Sequence, residues 1–432
     1  MAEKNLSARE ACLNSLVNFE KNKSYSNTEL SNALDRHKFN DLDRAFFTRL
    51  FYGVIERKLT LDFYINCLAE KNKDARVLNI LRMGLYQILY MEKVPDNAAC
   101  NESVELAKKL KNKHAPGFVN AVLRNFLRRR EELERQLDSL NNLEIKYSCN
   151  YDIINVWKES YGSAVAEKIL KAGDAASGFA VTVNGLKIAR DEYFEKLVSL
   201  GVKCEKISEY SVYIFEDMPV KSLYGFNEGL FFVQDEASQI CALELGAKQG
   251  DLILDACAAP GGKSLFIAQS VKNKGRIVAL DLHKYKLGLI ENSAKRLGVN
   301  IIETHEHDST GKIPESILSA KADCILCDVP CSGLGVTAKK PEIKYKSLES
   351  IVKLPDLQYE ILANCAASLK PGGVLVYSTC TLNKRENEDI VYKFLEKNSG
   401  FKLENMKTFF PFERVARKID GFFLAKMRLN SV

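Results

Sequence analysis

The 432-residue chain contains no run approaching the roughly 18 to 20 consecutive apolar residues that a membrane-spanning helix needs. A helical membrane protein is therefore excluded. Its first residues, MAEKNLSARE, lack the apolar core of a secretory signal, so the expected compartment is the cytoplasm. Glycine (24) and proline (10) are too sparse for a collagen or a low-complexity polymer, and no internal repeat is present. The twelve cysteines follow no framework spacing, so disulfides are not expected. Several lie inside apolar runs (Cys257, Cys324, Cys327), where they fit as small buried hydrophobes or as reactive thiols. What is present, 46% apolar and 27% charged residues, describes a soluble globular protein of two or three domains.

The net charge of +6 is a weak argument for a polyanionic partner until it is located. Residues 1–146 carry 25 basic against 20 acidic side chains, which is nearly all of the excess. Between Glu105 and Glu131 there is no acid, while Lys108, Lys109, Lys111, Lys113, Arg124, Arg128, Arg129 and Arg130 occur together with His114. Charge alone leaves two readings open: a solvated helical face, or a phosphate-binding surface.

Up to about residue 146 apolar residues recur at helical spacing, as at Leu78, Leu81, Leu85, Ile88 and Leu89, and strand-like alternation is lacking. The spacing predicts an all-α domain of six or seven helices. Asp96 and Asn97 are candidate caps for a helix through CNESVELAKKL, and Pro116-Gly117 a break before the next. From 147 to 235 a helical pair precedes short strands such as FAVTVN and SVYIFE, as in a small α+β subdomain. From 236 to 432 the runs DLILDAC, GRIVALD, ADCILCD and GGVLVYST alternate with helical stretches, the pattern of a parallel, doubly wound α/β sheet.

The first of these strands ends at Asp255 and runs into CAAPGGKS, where small residues and Gly261 and Gly262 permit a tight turn beside a ligand. The loop is not the G-x-G-x-x-G of nicotinamide enzymes. It is not a Walker A loop either, because the leading glycine would fall at Cys257. The second strand ends in Asp281, where an acid can accept hydrogen bonds from both ribose hydroxyls, and Asp308 follows IIETHEH, where it can meet an adenine amino group. Ribose-reading acids without phosphate-directed glycines favour a nucleoside cofactor lacking a pyrophosphate, namely S-adenosylmethionine.

Two thiols fall at the carboxyl ends of later strands: Cys331, in DVPCSG after ADCILCD, and Cys380, after GGVLVYST. Open α/β sheets place their sites along that edge. A thiol of ordinary pKa is only ~3% thiolate at neutral pH, so a nucleophilic cysteine needs help from its surroundings. The spacing Cys324-x-x-Cys327 invites a metal reading. Residues three apart on a strand face opposite sides, however, and no second ligand pair accompanies them, so no metal site is expected.

Taken together, GLFFVQDEASQI, DACAAPGGKS, Asp281, Asp308, DVPCSGLG, KKPEIK and YSTCTLNKRENE resemble the RsmB/Sun (Fmu) family of 16S rRNA cytosine-5 methyltransferases over nearly the whole chain. RMGLYQILYMEKVPDNAACNESVELAKK and GFVNAVLRNFLRR resemble the RNA-binding NusB domain, which favours the phosphate-surface reading of the basic segment. The resemblance implies an all-α NusB-like domain (1–146), a small α+β subdomain (147–235) and a Rossmann-like methyltransferase domain (236–432). It also implies that Cys257, Ala258, Ala259, Pro260, Gly261, Gly262 and Lys263 cradle S-adenosylmethionine, with Asp281 on the ribose and Asp308 near the adenine. Asp328 would border both methyl donor and target base, Lys263 would help orient the base, Cys380 would be the nucleophile, and Cys331 would assist product release. In related DNA enzymes the cysteine of the P-C motif is itself the nucleophile. The implied substrate is 16S rRNA, or a small-subunit precursor, at position 967 of the usual rRNA count, and the implied state is a monomer with no membrane partner. A tRNA or other rRNA cytosine-5 enzyme is the enzymatic alternative. A non-catalytic RNA-binding or antitermination factor is the alternative of another class.

Overall fold

Helix Ala75–Tyr90 shows how the amino-terminal sequence becomes a core. Asp74 caps it by accepting from the amides of Arg76 and Val77, and its apolar residues bury it almost all round. The structure, a computed structural model, describes residues 6–22, 26–37, 39–69, 74–173, 178–216, 218–414 and 419–431. Among them, seven helices lie between Ala8 and Ser139, and a short eighth spans Leu143–Tyr147. Their apolar faces form one core that includes Leu16, Phe47, Phe51, Leu81, Leu123 and Phe126. Arg82, buried inside this unit, is held by a two-pronged contact with Asp62 and a third bond to Glu20. Buried charge is tolerable only when paired in this way.

Two local expectations are corrected. Pro95, not Asp96 or Asn97, is the cap residue of helix Asp96–Lys108, and Asp96 sits in its first turn. Pro116-Gly117 lies inside the first turn of helix Ala115–Ser139 rather than before it, since a first-turn proline needs no amide partner.

By compactness the chain divides into Met1–Asn155 with Lys339–Lys346, and Val156–Ala338 with Ser347–Val432. The segment KKPEIKYK thus folds with the helices. Ser26 donates through its amide and hydroxyl to Glu342, and the Tyr345 hydroxyl donates to Ile55 O at 2.7 Å.

The second unit contains two sheets. Strands β1 (Phe179–Val183), β2 (Cys204–Lys206), β3 (Ser211–Ile214) and β4 (Phe231–Val233) form an antiparallel sheet in the order β2-β3-β1-β4. Tyr193 and Leu197 of helix Arg190–Ser199 share its core. The larger sheet contains β5 (Leu252–Asp255), β6 (Arg276–Asp281), β7 (Ile302–Glu306), β8 (Ala322–Asp328), β9 (Leu369–Thr379), β10 (Phe401–Phe409) and β11 (Phe422–Leu429), in the order β10-β11-β9-β8-β5-β6-β7. Strands β5 to β9 pair in parallel. The parallel, doubly wound sheet is extended at one edge by an antiparallel pair, where β11 runs antiparallel to β9 and β10 antiparallel to β11. Cys324 and Cys327 lie on opposite faces of β8 and join different apolar cores, as the two-residue period of a strand requires. All twelve cysteines are free thiols.

Candidate active site

Strand order reverses at β5, with β6 and β7 on one side and β8 and β9 on the other. A ligand in a doubly wound sheet lies beyond the carboxyl ends of the strands at that switch point. The segment from Cys257 to Lys263 leaves β5 at this place. Gly261 has φ +102°, a conformation that a side chain disfavours, and it precedes helix Gly262–Ser270.

Asp255 is fully buried, accepts from the Ser264 hydroxyl at 2.5 Å, and has no described partner for its other oxygen. Burial pushes its carboxyl up to about 7, against the Ser264 hydrogen bond. Asp281 ends β6, buried, with Oδ1 accepting from the His283 amide at 2.9 Å. Asp308 is exposed beyond β7 and is held below the usual carboxylate range by hydrogen bonds from the side chain and amide of Thr310. An unspent buried acceptor, a glycine turn and two further strand-end acids fit a nucleoside carrying an amino-acid tail. S-adenosylmethionine has that composition.

Asp328 ends β8. Its Oδ2 accepts from Lys263 Nζ at 2.5 Å and its Oδ1 from the Ser378 hydroxyl at 2.8 Å. The lysine side chain is only 12% exposed and lies 5.1 Å above the Phe422 ring. Burial works to lower its pKa, but the charge and hydrogen bond of Asp328, together with Cys241 and Asp255, outweigh it and the net shift is upward, so Lys263 is a cation here.

Cys331 and Cys380, 49 residues apart in the chain, are brought to 3.2 Å between sulfurs. Both are half-buried. The Cys331 thiol is raised well above the ordinary range, first by its hydrogen bond with Cys380, then by burial and by the Cys380, Glu386 and Asp328 charges. Two sulfurs this close cannot both ionise, so they share a proton between them.

The two cysteine loops are tied together. Gly335 N donates to Cys380 O at 3.1 Å, Gly421 N donates to Gly335 O at 2.8 Å, and the Ser332 and Thr381 hydroxyls share a 2.6 Å hydrogen bond. A Cβ on Gly335 would stand 1.9 Å from Gly421 O and 2.9 Å from Cys380 O, both backbone atoms. Gly335→Ala should therefore lower stability by about 1–3 kcal/mol, as overpacking does, and displace the Cys380 loop. Urea unfolding together with a methylation assay checks both effects; unchanged values would mean that this approach is not tight.

Sequence reasoning located the strand-end acids and both thiols but missed Ser378, Gln358 and Glu386. Gln358 and Glu386 are completely buried beside Cys331. Glu386 sits in the polar stretch TLNKRENE, and nothing in that composition signals burial.

The eight basic residues of the amino-terminal region divide into two sets. Lys108, Lys109, Arg129 and Arg130 pair with Glu105, Glu10, Glu132 and Glu134. Arg124 and Arg128 bond to the neutral side chains of Asn97 and Asn125, and Lys111 and Lys113 are exposed.

Fold and site together define an S-adenosylmethionine-dependent methyltransferase with a Rossmann-like domain. Residues 242–428 match the family model for 16S rRNA methyltransferase RsmB/F, and residues 6–128 match that of the NusB family. A Bacillus subtilis protein named as a probable ribosomal RNA small subunit methyltransferase B is 35% identical, over 98% of this chain and 99% of that one. The crystal structure titled PH0851 superposes with a TM-score of 0.80 at 23% identity, covering 98% of this chain and all of that one, which speaks to the fold. NSun6 from Pyrococcus horikoshii with SFG superposes with a TM-score of 0.59 at 26% identity, over 66% of this chain and 99% of that one. The chain belongs to the RsmB/F family of 16S rRNA methyltransferases.

Proposed function

We propose that the protein methylates carbon 5 of a cytosine in 16S rRNA, the family's position 967, through a covalent bond between Cys380 and carbon 6 of the base. The observation that carries this reading is the pair of thiols 3.2 Å apart beside Asp328. Carbon 5 is a poor nucleophile until a thiolate adds at carbon 6 and turns the ring into an enamine. Cys331, keeping its proton, donates an S–H hydrogen bond that stabilises the Cys380 thiolate before attack. S-adenosylmethionine supplies an electrophilic methyl group when bound, with Cys257 to Lys263, Asp281, Asp308 and Asp328 as its holders. The Lys263 ammonium, fixed by Asp328, faces charge that grows on the ring as the sulfur adds, and the Asp328 carboxylate accepts from the exocyclic amine. In the release step a water molecule takes the carbon 5 proton, the C5=C6 double bond re-forms, the C6–S bond breaks with its electron pair on Cys380, and the Cys331 thiol stabilises that departing thiolate.

The base must be unpaired or flipped out, because stacking hides both ring carbons. We assign RNA holding to the helical region 1–146 and chemistry to 236–432, with 147–235 as the α+β subdomain between them. We further assign the protein to the cytoplasm as a monomer. Among the described residues no helix is long and apolar enough to cross a membrane. Reversing Lys111, Lys113, Arg124 and Arg128 to glutamate should weaken RNA binding and flatten the dependence of log K on log salt by about 0.7 to 0.9 for each phosphate left unneutralised. An unchanged slope would return these residues to a solvated face. Bisulfite sequencing of 16S rRNA and tRNA from cells with and without the protein tests the whole reading. The disappearance of one 16S mark is expected; an intact 16S pattern would overturn it.

A further inference from the structure

Glu386 is a fully buried carboxylate, and no ion pair to it occurs among the described residues. It is met instead by four donors. Oε1 accepts from the Ser332 hydroxyl at 2.5 Å and Asn383 Nδ2 at 2.8 Å, and Oε2 accepts from the Ser332 amide at 2.8 Å and Gln358 Nε2 at 2.9 Å. A buried charge satisfied only by neutral donors is a poor device for stability, since matched apolar groups fill the same space without the desolvation cost. Its worth lies in what those donors belong to.

Both peptides flanking Cys331 are pinned through this group. On the carboxyl side the Ser332 amide is fixed by Glu386 itself. On the amino side Pro330 O accepts from Gln358 Nε2 at 2.9 Å, and the same nitrogen donates to Glu386. The Gln358 amide can point only one way, because the opposite flip would set its oxygen against the carboxylate and a carbonyl. The Cys380 loop is gripped from the same point by Asn383, by the Tyr377 hydroxyl donating to Glu386 O at 2.6 Å, and by the Ser332–Thr381 hydroxyl pair next to Cys380. Two loops on different strands thus share one acceptor.

We propose that Glu386, acting with Gln358, is the positioning residue that sets the separation of Cys331 and Cys380 and the aim of the Cys380 sulfur at the base. The proposal rests on the roles given to the two cysteines above. Glu386 is completely buried and exposes no atom to a ligand. Glu386→Gln keeps the shape but turns one acceptor into a donor among four donors, so one cysteine loop must move. A displacement of about 1 Å at reacting atoms costs on the order of 10²-fold in rate. Gln358→Met keeps the volume and the carboxylate, releases the Pro330 carbonyl and removes one of the four donors to Glu386, while the Ser332 amide stays pinned.

The test uses the full-length protein with wild type, Glu386→Gln, Gln358→Met and Cys380→Ala in parallel. The measurements are kcat, KM for S-adenosylmethionine and for RNA, the rate of covalent adduct formation on 5-fluorocytidine RNA, and the melting curve. The expected result is a fall in kcat of about 10²-fold for Glu386→Gln, and a smaller one for Gln358→Met, with matching falls in adduct rate and KM for S-adenosylmethionine within about twofold. If Glu386→Gln does not fold, Gln358→Met decides alone. Wild-type kcat and adduct rate in a folded variant, beside an inactive Cys380→Ala, would overturn the positioning role and leave the cysteine reading standing. Full turnover by Cys380→Ala would overturn both.

Discussion

Cys380→Ala should reduce methyl transfer by at least about 10⁴-fold, some 5 kcal/mol of barrier, because without the sulfur the ring has no route to an enamine. Binding of S-adenosylmethionine should stay within about twofold of wild type by calorimetry. The groups that fit the cofactor lie on the loop after β5 and at the ends of β6 and β7, on strands other than the one that leads into Cys380. Alanine removes one sulfur from a half-buried position, so the fold should survive. Residual turnover above about one hundredth of wild type would show that another group attacks the base.

Cys331→Ala should have the opposite signature: a stable protein–RNA adduct on denaturing gels, with multiple-turnover rate reduced by roughly 10²-fold or more. The cause is the 3.2 Å approach of the two sulfurs. In the proposed roles a protonated Cys331 would stabilise the Cys380 thiolate but have no comparable interaction with a thioether sulfur, so its removal would tilt the equilibrium between them toward the bonded form. The adduct should persist in the presence of S-adenosylmethionine and contain the methylated base. If turnover fell without any retained RNA, Cys331 would act before bond formation, as a support of the attacking thiolate alone.

The sequence carried much of this arrangement in plain view. Asp255, Asp281 and Asp328 each close a hydrophobic run, and each closes a strand at the carboxyl edge of the parallel sheet. Gly261 takes the conformation that its loop demanded. Strand β10 was illegible because it lies at the edge of the sheet and its polar residues do not mark it as buried. The closeness of Cys331 and Cys380 was also hidden, since it arises from neighbouring parallel strands whose pairing is set by packing over the whole sheet. Glu386 illustrates a different limit. A glutamate between Arg385 and Asn387 looks solvated until the amide of Ser332 and the side chains of Asn383 and Gln358 are seen to converge on it. The basic segment was only half legible. Glu132 and Glu134 neutralise arginines one helical turn away, a spacing visible in the sequence, whereas Glu10 reaches Lys109 across the folded domain.

The attack of Cys380 on carbon 6 is tested most directly by trapping. RNA bearing 5-fluorocytidine at the target position cannot lose a proton from carbon 5, so the enzyme should stall as a covalent complex when S-adenosylmethionine is present. Digestion and mass spectrometry should then find the nucleotide on the peptide containing Cys380. Recovery of the nucleotide on the Cys331 peptide, or turnover without any trapped species, would contradict the account.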